Sequence, residues 1–495
     1  MPLAPQRRPL RCCAAGLLTR RAPDAQTGRR RGGSGDPPRK AGDPPRKALA
    51  STARLAVAAL VLSVLLASAA QAEERVALPQ FKTGYVRPTT EVPPPRAGLY
   101  DYLDVAALAA ALAAASYLAI RARSRRGLWV LAILSVLYFG FWRGGCVCSI
   151  GAIQNVALGL ASGGYAVPAA VIAFFILPLA FTLFFGRTFC AGVCPLGAIQ
   201  ELVVVRPLKV PVWLDQALGL LAYVYLGAAV LFAATGSAFI ICEYDPFVSI
   251  FRLVPLERPA DAMQALSGST NMLILGAALV AAGMVIGRPY CRWLCPYGAI
   301  LRLLGRASRW RVTITPDECI QCRLCEDACP FGAIRRPTDP LPRGERLIDR
   351  RRLATLLLVV PLVAGAGGVL GWWLGSPMSR MHVTVRQADR VLLEETGRAE
   401  GADNLSDAFY ATRRPREELY AEARAIQAGF ARGGAVFGLW VGLVLGAKLI
   451  QLSVRRTQTD FEPDRAACVS CGRCFAYCPV ERERRKKASG EAAPT

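Results

Sequence analysis

Cys319, Cys322, Cys325 and Cys329, followed by Pro330, read C-x-x-C-x-x-C-x-x-x-C-P, and Cys468, Cys471, Cys474 and Cys478, followed by Pro479, repeat the same spacing. Two-residue spacers let three thiolates converge on one four-iron cube. The wider last step leads the fourth Cys away, toward a second cube. Paired zinc sites are the competing chemistry, but they usually set their C-x-x-C pairs further apart. Two full copies of the run point to two [4Fe–4S] clusters.

The copies are separated by two long apolar stretches, Leu353–Leu374 and Gly434–Leu452, each about the length that crosses a bilayer. Crossing twice returns the chain to its starting side, so the two runs can meet in one ferredoxin-type unit. On this reading Cys319, Cys322, Cys325 and Cys478 hold one cluster, and Cys468, Cys471, Cys474 and Cys329 hold the other. An arrangement in which each run closes its own cluster uses the same eight residues.

A second repeat lies upstream. Cys146-Val147-Cys148-Ser149-Ile150-Gly151-Ala152-Ile153-Gln154 resembles Cys190 and Cys194-Pro195-Leu196-Gly197-Ala198-Ile199-Gln200, and also Cys291 and Cys295-Pro296-Tyr297-Gly298-Ala299-Ile300. Three-residue spacers place two thiols about one helical turn apart, and the proline can open the next helix. Buried Cys often only packs. The repetition makes Cys190, Cys194, Cys291 and Cys295 candidates for a further redox or metal site. Cys146 and Cys148 form a degenerate copy expected on the opposite side, where Cys242, in Cys242-Glu243-Tyr244-Asp245-Pro246, could join them in an outer thiol site. A turn built by Asp245-Pro246 around an incidental Cys is the plain alternative.

Positioning these thiols falls to a membrane protein. The chain has 495 residues, is 53% hydrophobic and has mean hydropathy +0.32, with the apolar residues in blocks. The net charge of +24 flanks those blocks, and no nucleic-acid motif accompanies it. Residues 1–54 read as a disordered basic stretch, 55–72 as a signal peptide or signal anchor and 73–103 as a periplasmic segment. A transmembrane core, 104–308, carries spans near Val105–Ile120, Leu128–Trp142, Ala166–Phe185, Ala217–Ile241 and Met272–Ile286. Then follow ferredoxin half 1 (309–352), a membrane helix (353–375), a periplasmic loop (376–433), a membrane helix (434–453), ferredoxin half 2 (454–487) and a tail (488–495). The fold class is thus mainly α, with about seven spans after the signal segment and a split α+β ferredoxin unit. The basic segments 121–126, 186–209, 287–352 and 453–487 share one side, the cytoplasm, on an alternating path. In the long loop, Val385–Thr396 and Arg416–Phe430 read as amphipathic helices of a docking surface.

C-x-x-x-C-P pairs at helix ends, followed by split ferredoxin cysteines, resemble the membrane polyferredoxins of the NosR, NapH and CcoG kind, over roughly Gly127 to Lys487. The resemblance implies an electron-transfer protein of the bacterial inner membrane, without substrate chemistry of its own. Redox proteins on either face, a separate flavoprotein and a quinone are the implied partners. An assembly factor that reduces a metal or cofactor for another enzyme, and a redox sensor, are the alternatives.

Several features narrow the chemistry. His382 is the sole histidine, which excludes bis-His haem in this chain. Ser267-Gly268-Ser269-Thr270 superficially suggests flavin attachment, but its place at a helix start reads better as capping, so flavin is expected on a partner. The middles of the apolar spans lack the ionisable groups of a pump, and Lys448 can snorkel from its helix end.

Overall fold

A computed structural model describes residues 98–145, 148–162, 165–205, 207–252, 270–314, 319–338, 343–399, 403–454 and 458–489. The basic N-terminal stretch, the signal segment, most of 73–103, Cys146, Ser267–Ser269 and the last residues of the tail lie outside them.

The chain is mainly helical. Among the described residues, five helices are long and apolar enough to cross a membrane: Leu99–Arg121, Arg125–Trp142, Val212–Ala234, Arg351–Ser379 and Arg416–Ser453. The expected spans at 166–185 and 272–286 are helices of 17 and 16 residues, Ala169–Phe185 and Thr270–Val285. At 1.5 Å per residue they reach about 25 Å, short of a core of about 30 Å. Gly186, at φ +72°, ends the first of them. The expected span Ala217–Ile241 stops at Ala234 instead, where Gly236 at φ +69° turns the chain, and a separate short helix, Ile240–Glu243, follows. Ser149–Ala161 is a further short apolar helix.

Short helices open at the cysteine-proline pairs. Pro195–Leu202 and Pro296–Gly305 each begin with proline at the first helical position, directly after Cys194 and Cys295. Proline's missing N–H costs nothing there. These helices pack on the long ones around a core that includes Leu112, Phe139, Leu226, Phe247 and Trp293.

Helices Arg343–Ser379 and Arg416–Ser453 form a tight antiparallel pair. Gly367, Gly371 and Gly375 face Gly434, Gly438 and Gly442. A Cβ on Gly371 would run into the Gly434 carbonyl oxygen, and one on Gly438 into that of Gly367. Small residues every fourth position let the backbones touch, which is how helices associate in lipid. The outward face of the first helix carries Leu358, Leu362, Val369 and Trp373, all exposed. The second helix begins at Arg416, so the segment expected as a separate amphipathic helix is its first third. That third packs with Val383–Glu395 and Asn404–Thr412 around Val385, Val391, Phe409, Leu419 and Ala423.

At the other end of this pair lies the cysteine-rich unit. Strand Ile334–Arg335 pairs antiparallel with Glu462–Pro463, Ile334 opposite Pro463. Short helices Leu324–Asp327 and Arg473–Tyr477 carry cysteines from the two runs. Val312, Ile314, Phe331, Phe461 and Phe475 fill the core between them.

Candidate iron–sulfur sites

The thiols of the two runs interleave. Cys325 stands within electrostatic reach of Cys319, Cys322 and Cys478. Cys474 stands within reach of Cys468, Cys471 and Cys329, and Cys468 within reach of Cys471 and Cys329. Each set thus joins three thiols of one run with the last thiol of the other. Chain geometry explains this, because the β pairing lays the runs side by side and the wider spacer carries Cys329 and Cys478 across. Burial pushes Cys325 up to about 11 and Cys468 up to about 12, and the neighbouring thiols add to both shifts. Four such groups cannot all ionise without cations among them. Among the described residues, no three His, Cys, Asp or Glu side chains sit close enough to hold a single metal ion. The donor set and its spread fit a multi-iron core, which stands between its ligands, better than one zinc ion.

Cys190, Cys194, Cys291 and Cys295 form a third gathering, in the bundle. Cys194 stands within reach of the other three, and Cys295 within reach of Cys291 and Cys190. Gln200 is fully buried. Its Nε2 donates to Cys291 Sγ at 3.3 Å and to the Leu196 carbonyl at 2.8 Å, while its Oε1 accepts from the Tyr290 N–H at 3.2 Å. Arg187 Nη2 lies 3.6 Å from Cys190 Sγ, and the Gly298 N–H lies 3.3 Å from Cys295 Sγ. Among the described residues these thiols do not form the tight cluster that holds a single metal ion.

The third repeat copy follows the same construction. Gln154 Oε1 accepts from the Ile241 N–H at 2.8 Å and the Cys242 N–H at 3.3 Å, as Gln200 does from Tyr290. The segment after Cys148 therefore pairs with the segment at Cys242 as the segment after Cys194 pairs with that at Cys291. Asp245-Pro246 opens the Pro246–Arg252 helix as Cys295-Pro296 opens Pro296–Gly305, one residue nearer its preceding Cys, with Asp245 Oδ1 capping the Phe247 N–H at 2.9 Å. The sequence left this segment open between an outer thiol site at Cys242 and a turn at Asp245-Pro246; the D-P echo of C-P was the available signal of this likeness. Cys148 lies within reach of Cys242 and Asp245, and it lines a small cavity with Cys194. Cys148 immediately precedes the Ser149–Ala161 helix and is half-buried. Cys242 itself is exposed.

Buried ion pairs hold the cysteine-rich unit to the bundle. Glu201, 5% exposed, meets Arg125 at 2.6 Å, Arg473 at 2.8 Å and Arg288 at 3.1 Å. Burial alone would raise its pKa, but the guanidinium groups of Arg288, Arg473 and Arg125 outweigh burial and hold it at about 2. Arg125 also donates to the Cys471 carbonyl at 2.6 Å, and Arg187 to that of Ala466 at 3.1 Å. Cys190 packs against both the bundle core and the core of the cysteine-rich unit. The sequence offered no sign of this arginine–glutamate junction beyond its basic charge.

Fold and site together define a helical membrane protein with [4Fe–4S]-binding domains. A family model described as a 4Fe-4S binding domain matches residues 167–212 and 269–315, and a second model of that description matches 312–335. The chain is 33% identical to the protein NirI of Paracoccus denitrificans over 172 residues, which is 32% of this chain and 23% of NirI. It is 27% identical to the methylamine utilization ferredoxin-type protein MauN of Methylobacillus flagellatus over 156 residues, 31% of this chain and 52% of MauN. It is 28% identical to the regulatory protein NosR of Pseudomonas aeruginosa over 161 residues, 31% of this chain and 21% of NosR. The matched part spans less than two thirds of each relative. No solved structure matches. The chain thus resembles the NosR-like membrane ferredoxins, an iron–sulfur electron-transport type of membrane protein.

Proposed function

We propose that this protein passes electrons between a partner on its ferredoxin side and a quinone or redox protein reached through the membrane bundle, and performs no substrate chemistry itself. Two [4Fe–4S] clusters, one on Cys319, Cys322, Cys325 and Cys478 and one on Cys468, Cys471, Cys474 and Cys329, would supply one-electron storage. The chain's residues do the rest. Cys325, Cys329, Cys471, Cys474 and Cys478 are buried, which keeps water from the sites, while exposed Cys322 marks the face open to a donor. Glu201 and its arginines fix the ferredoxin unit against the bundle. Cys190, Cys194, Cys291 and Cys295 continue the thiols inward, and Cys148 and Cys242 continue them beyond.

The observation that carries this reading is the contact of Cys190 with both cores, which links the ferredoxin unit to the bundle thiols. The basic flanks favour a bacterial inner membrane with the ferredoxin unit in the cytoplasm. Anaerobic purification should yield roughly eight iron per chain and two EPR signals of four-iron type. One equivalent of zinc with little iron would sink the idea.

A further inference from the structure

A cavity of about 420 Å³ lies beside the bundle thiols, between the Val212–Ala234 helix, the Arg416–Ser453 helix and the ferredoxin unit. Its walls are apolar at Leu220, Tyr223, Trp440 and Val444, and Val212 and Leu443 on its lining are exposed on helices long enough to span a membrane. Arg187, Arg302, Arg306 and Lys448 also line it. The acids on the lining are engaged elsewhere: Asp215 by Arg292 and the Trp293 indole, Asp464 by Arg335 and the backbone of Ala466 and Ala467.

The cations are under-compensated. Arg187 is 2% exposed, and its Nε has no hydrogen-bond partner. Arg302 Nε is likewise buried and unpartnered, and its guanidinium otherwise meets only the Arg292 carbonyl. Arg306 donates to the Gln451 side chain at 3.2 Å. Lys448 stands within electrostatic reach of Arg302 and Arg306 and, against them, of Asp215 and Asp464. Of the thiols, Cys291 lies on the lining, and Arg187 reaches toward Cys190 at 3.6 Å. Burying like charges together is costly unless an anion joins them. A neutral quinone head would leave that charge uncancelled.

We infer that this cavity binds a phosphate ester anion, the headgroup of an anionic phospholipid, with its acyl chains leaving past Val212 and Leu443. Basic pockets between membrane helices bind such headgroups on general electrostatic grounds. Because Arg187 donates to the Ala466 carbonyl and Asp464 lies on the lining, the lipid would brace the ferredoxin unit against the last helix.

The test is lipid retention by the full-length protein in mild detergent, read by native mass spectrometry. Wild type, the neutralised Arg306→Gln/Lys448→Gln and the charge-keeping Arg306→Lys/Lys448→Arg are compared. Wild type and the charge-keeping variant should hold about one phosphatidylglycerol per chain and reject phosphatidylcholine. The neutralised variant should bind it more weakly, about fivefold per cation removed. A titration of wild type alone needs no variant: phosphatidylglycerol should raise the unfolding temperature, and inorganic phosphate should not. Equal retention by the neutralised variant, equal retention of phosphatidylcholine, stabilisation by phosphate alone, or an isoprenoid quinone held in the lipid's place would each overturn the proposal.

Discussion

At the scale of residues, the fourth thiol of each set decides how the sets are shared. If Cys478 serves with Cys319, Cys322 and Cys325, then Cys478→Ser and Cys322→Ser should weaken the same EPR signal, while Cys329→Ser and Cys471→Ser weaken the other. Loss of one signal by Cys478→Ser together with Cys471→Ser would instead show that each run keeps its own cluster. The bundle thiols have a separate test. Cys194→Ser and Cys295→Ser change one atom and, if these groups only pack, cost about 1–3 kcal/mol for an unpaired hydroxyl. If they carry electrons, both variants should insert and keep their ferredoxin clusters, yet reoxidise slowly in membranes. Wild-type reoxidation would leave the route to a partner subunit. Glu201 makes a pH prediction. Its pKa, ordinarily 4.5, is held at about 2 in the folded protein, so its stabilisation is fully present above 4.5 and is lost as pH falls toward 2. The unfolding temperature should therefore hold this contribution from pH 9 down to about 5. Glu201→Gln should lose about 3–5 kcal/mol at neutral pH, because buried Arg288 and half-buried Arg125 and Arg473 lose their anion. An unchanged unfolding temperature in that variant would show the ion pairs to be dispensable.

At the scale of elements, the pair Arg343–Ser379 and Arg416–Ser453 is held by backbone contact and not by large side chains. Gly371 and Gly438 have a neighbouring carbonyl oxygen where a Cβ would stand, whereas Gly365 has nothing within 4 Å. Gly438→Val and Gly371→Val should force the helices apart and cost more than the 1–3 kcal/mol typical of overpacking, because the obstructing atoms are backbone. Gly365→Ala should be neutral or slightly stabilising through helix propensity. Thermal unfolding in detergent distinguishes them, and equal stability of all three variants would show that the pair is not held this way. The pair also returns the chain to the ferredoxin unit, so separating its helices should loosen the pairing of Ile334 with Pro463 as well.

At the scale of the whole molecule, the long pair sets which surfaces share a side. Its ends place the Val383–Glu395 and Asn404–Thr412 helices at one extremity and the β pairing at the other. If the basic flanks face the cytoplasm, as proposed, a reporter fused after Lys487 should be active only as a cytoplasmic enzyme, and one inserted at Gly397 only as a periplasmic one. Periplasmic activity after Lys487 would overturn the proposed orientation.

The cysteine spacings by themselves determined the iron–sulfur chemistry, because ligand geometry is written into local spacers, and the apolar blocks determined that the chain enters a membrane. The helix positions were legible to within several residues, but helix ends were not: Gly236 ends a span that reads through on hydropathy alone. The spacing suggested that Cys329 and Cys478 serve the opposite runs but left open that each run closes its own cluster; only the tertiary structure lays the runs side by side, with Cys478 near Cys325 and Cys329 near Cys468. It alone revealed that Asp245-Pro246 answers Cys295-Pro296, through Gln154 and Gln200, and that Glu201 gathers three arginines from distant segments. Charge counts cannot show such partners, because a buried ion pair depends on geometry that forms only when the helices pack.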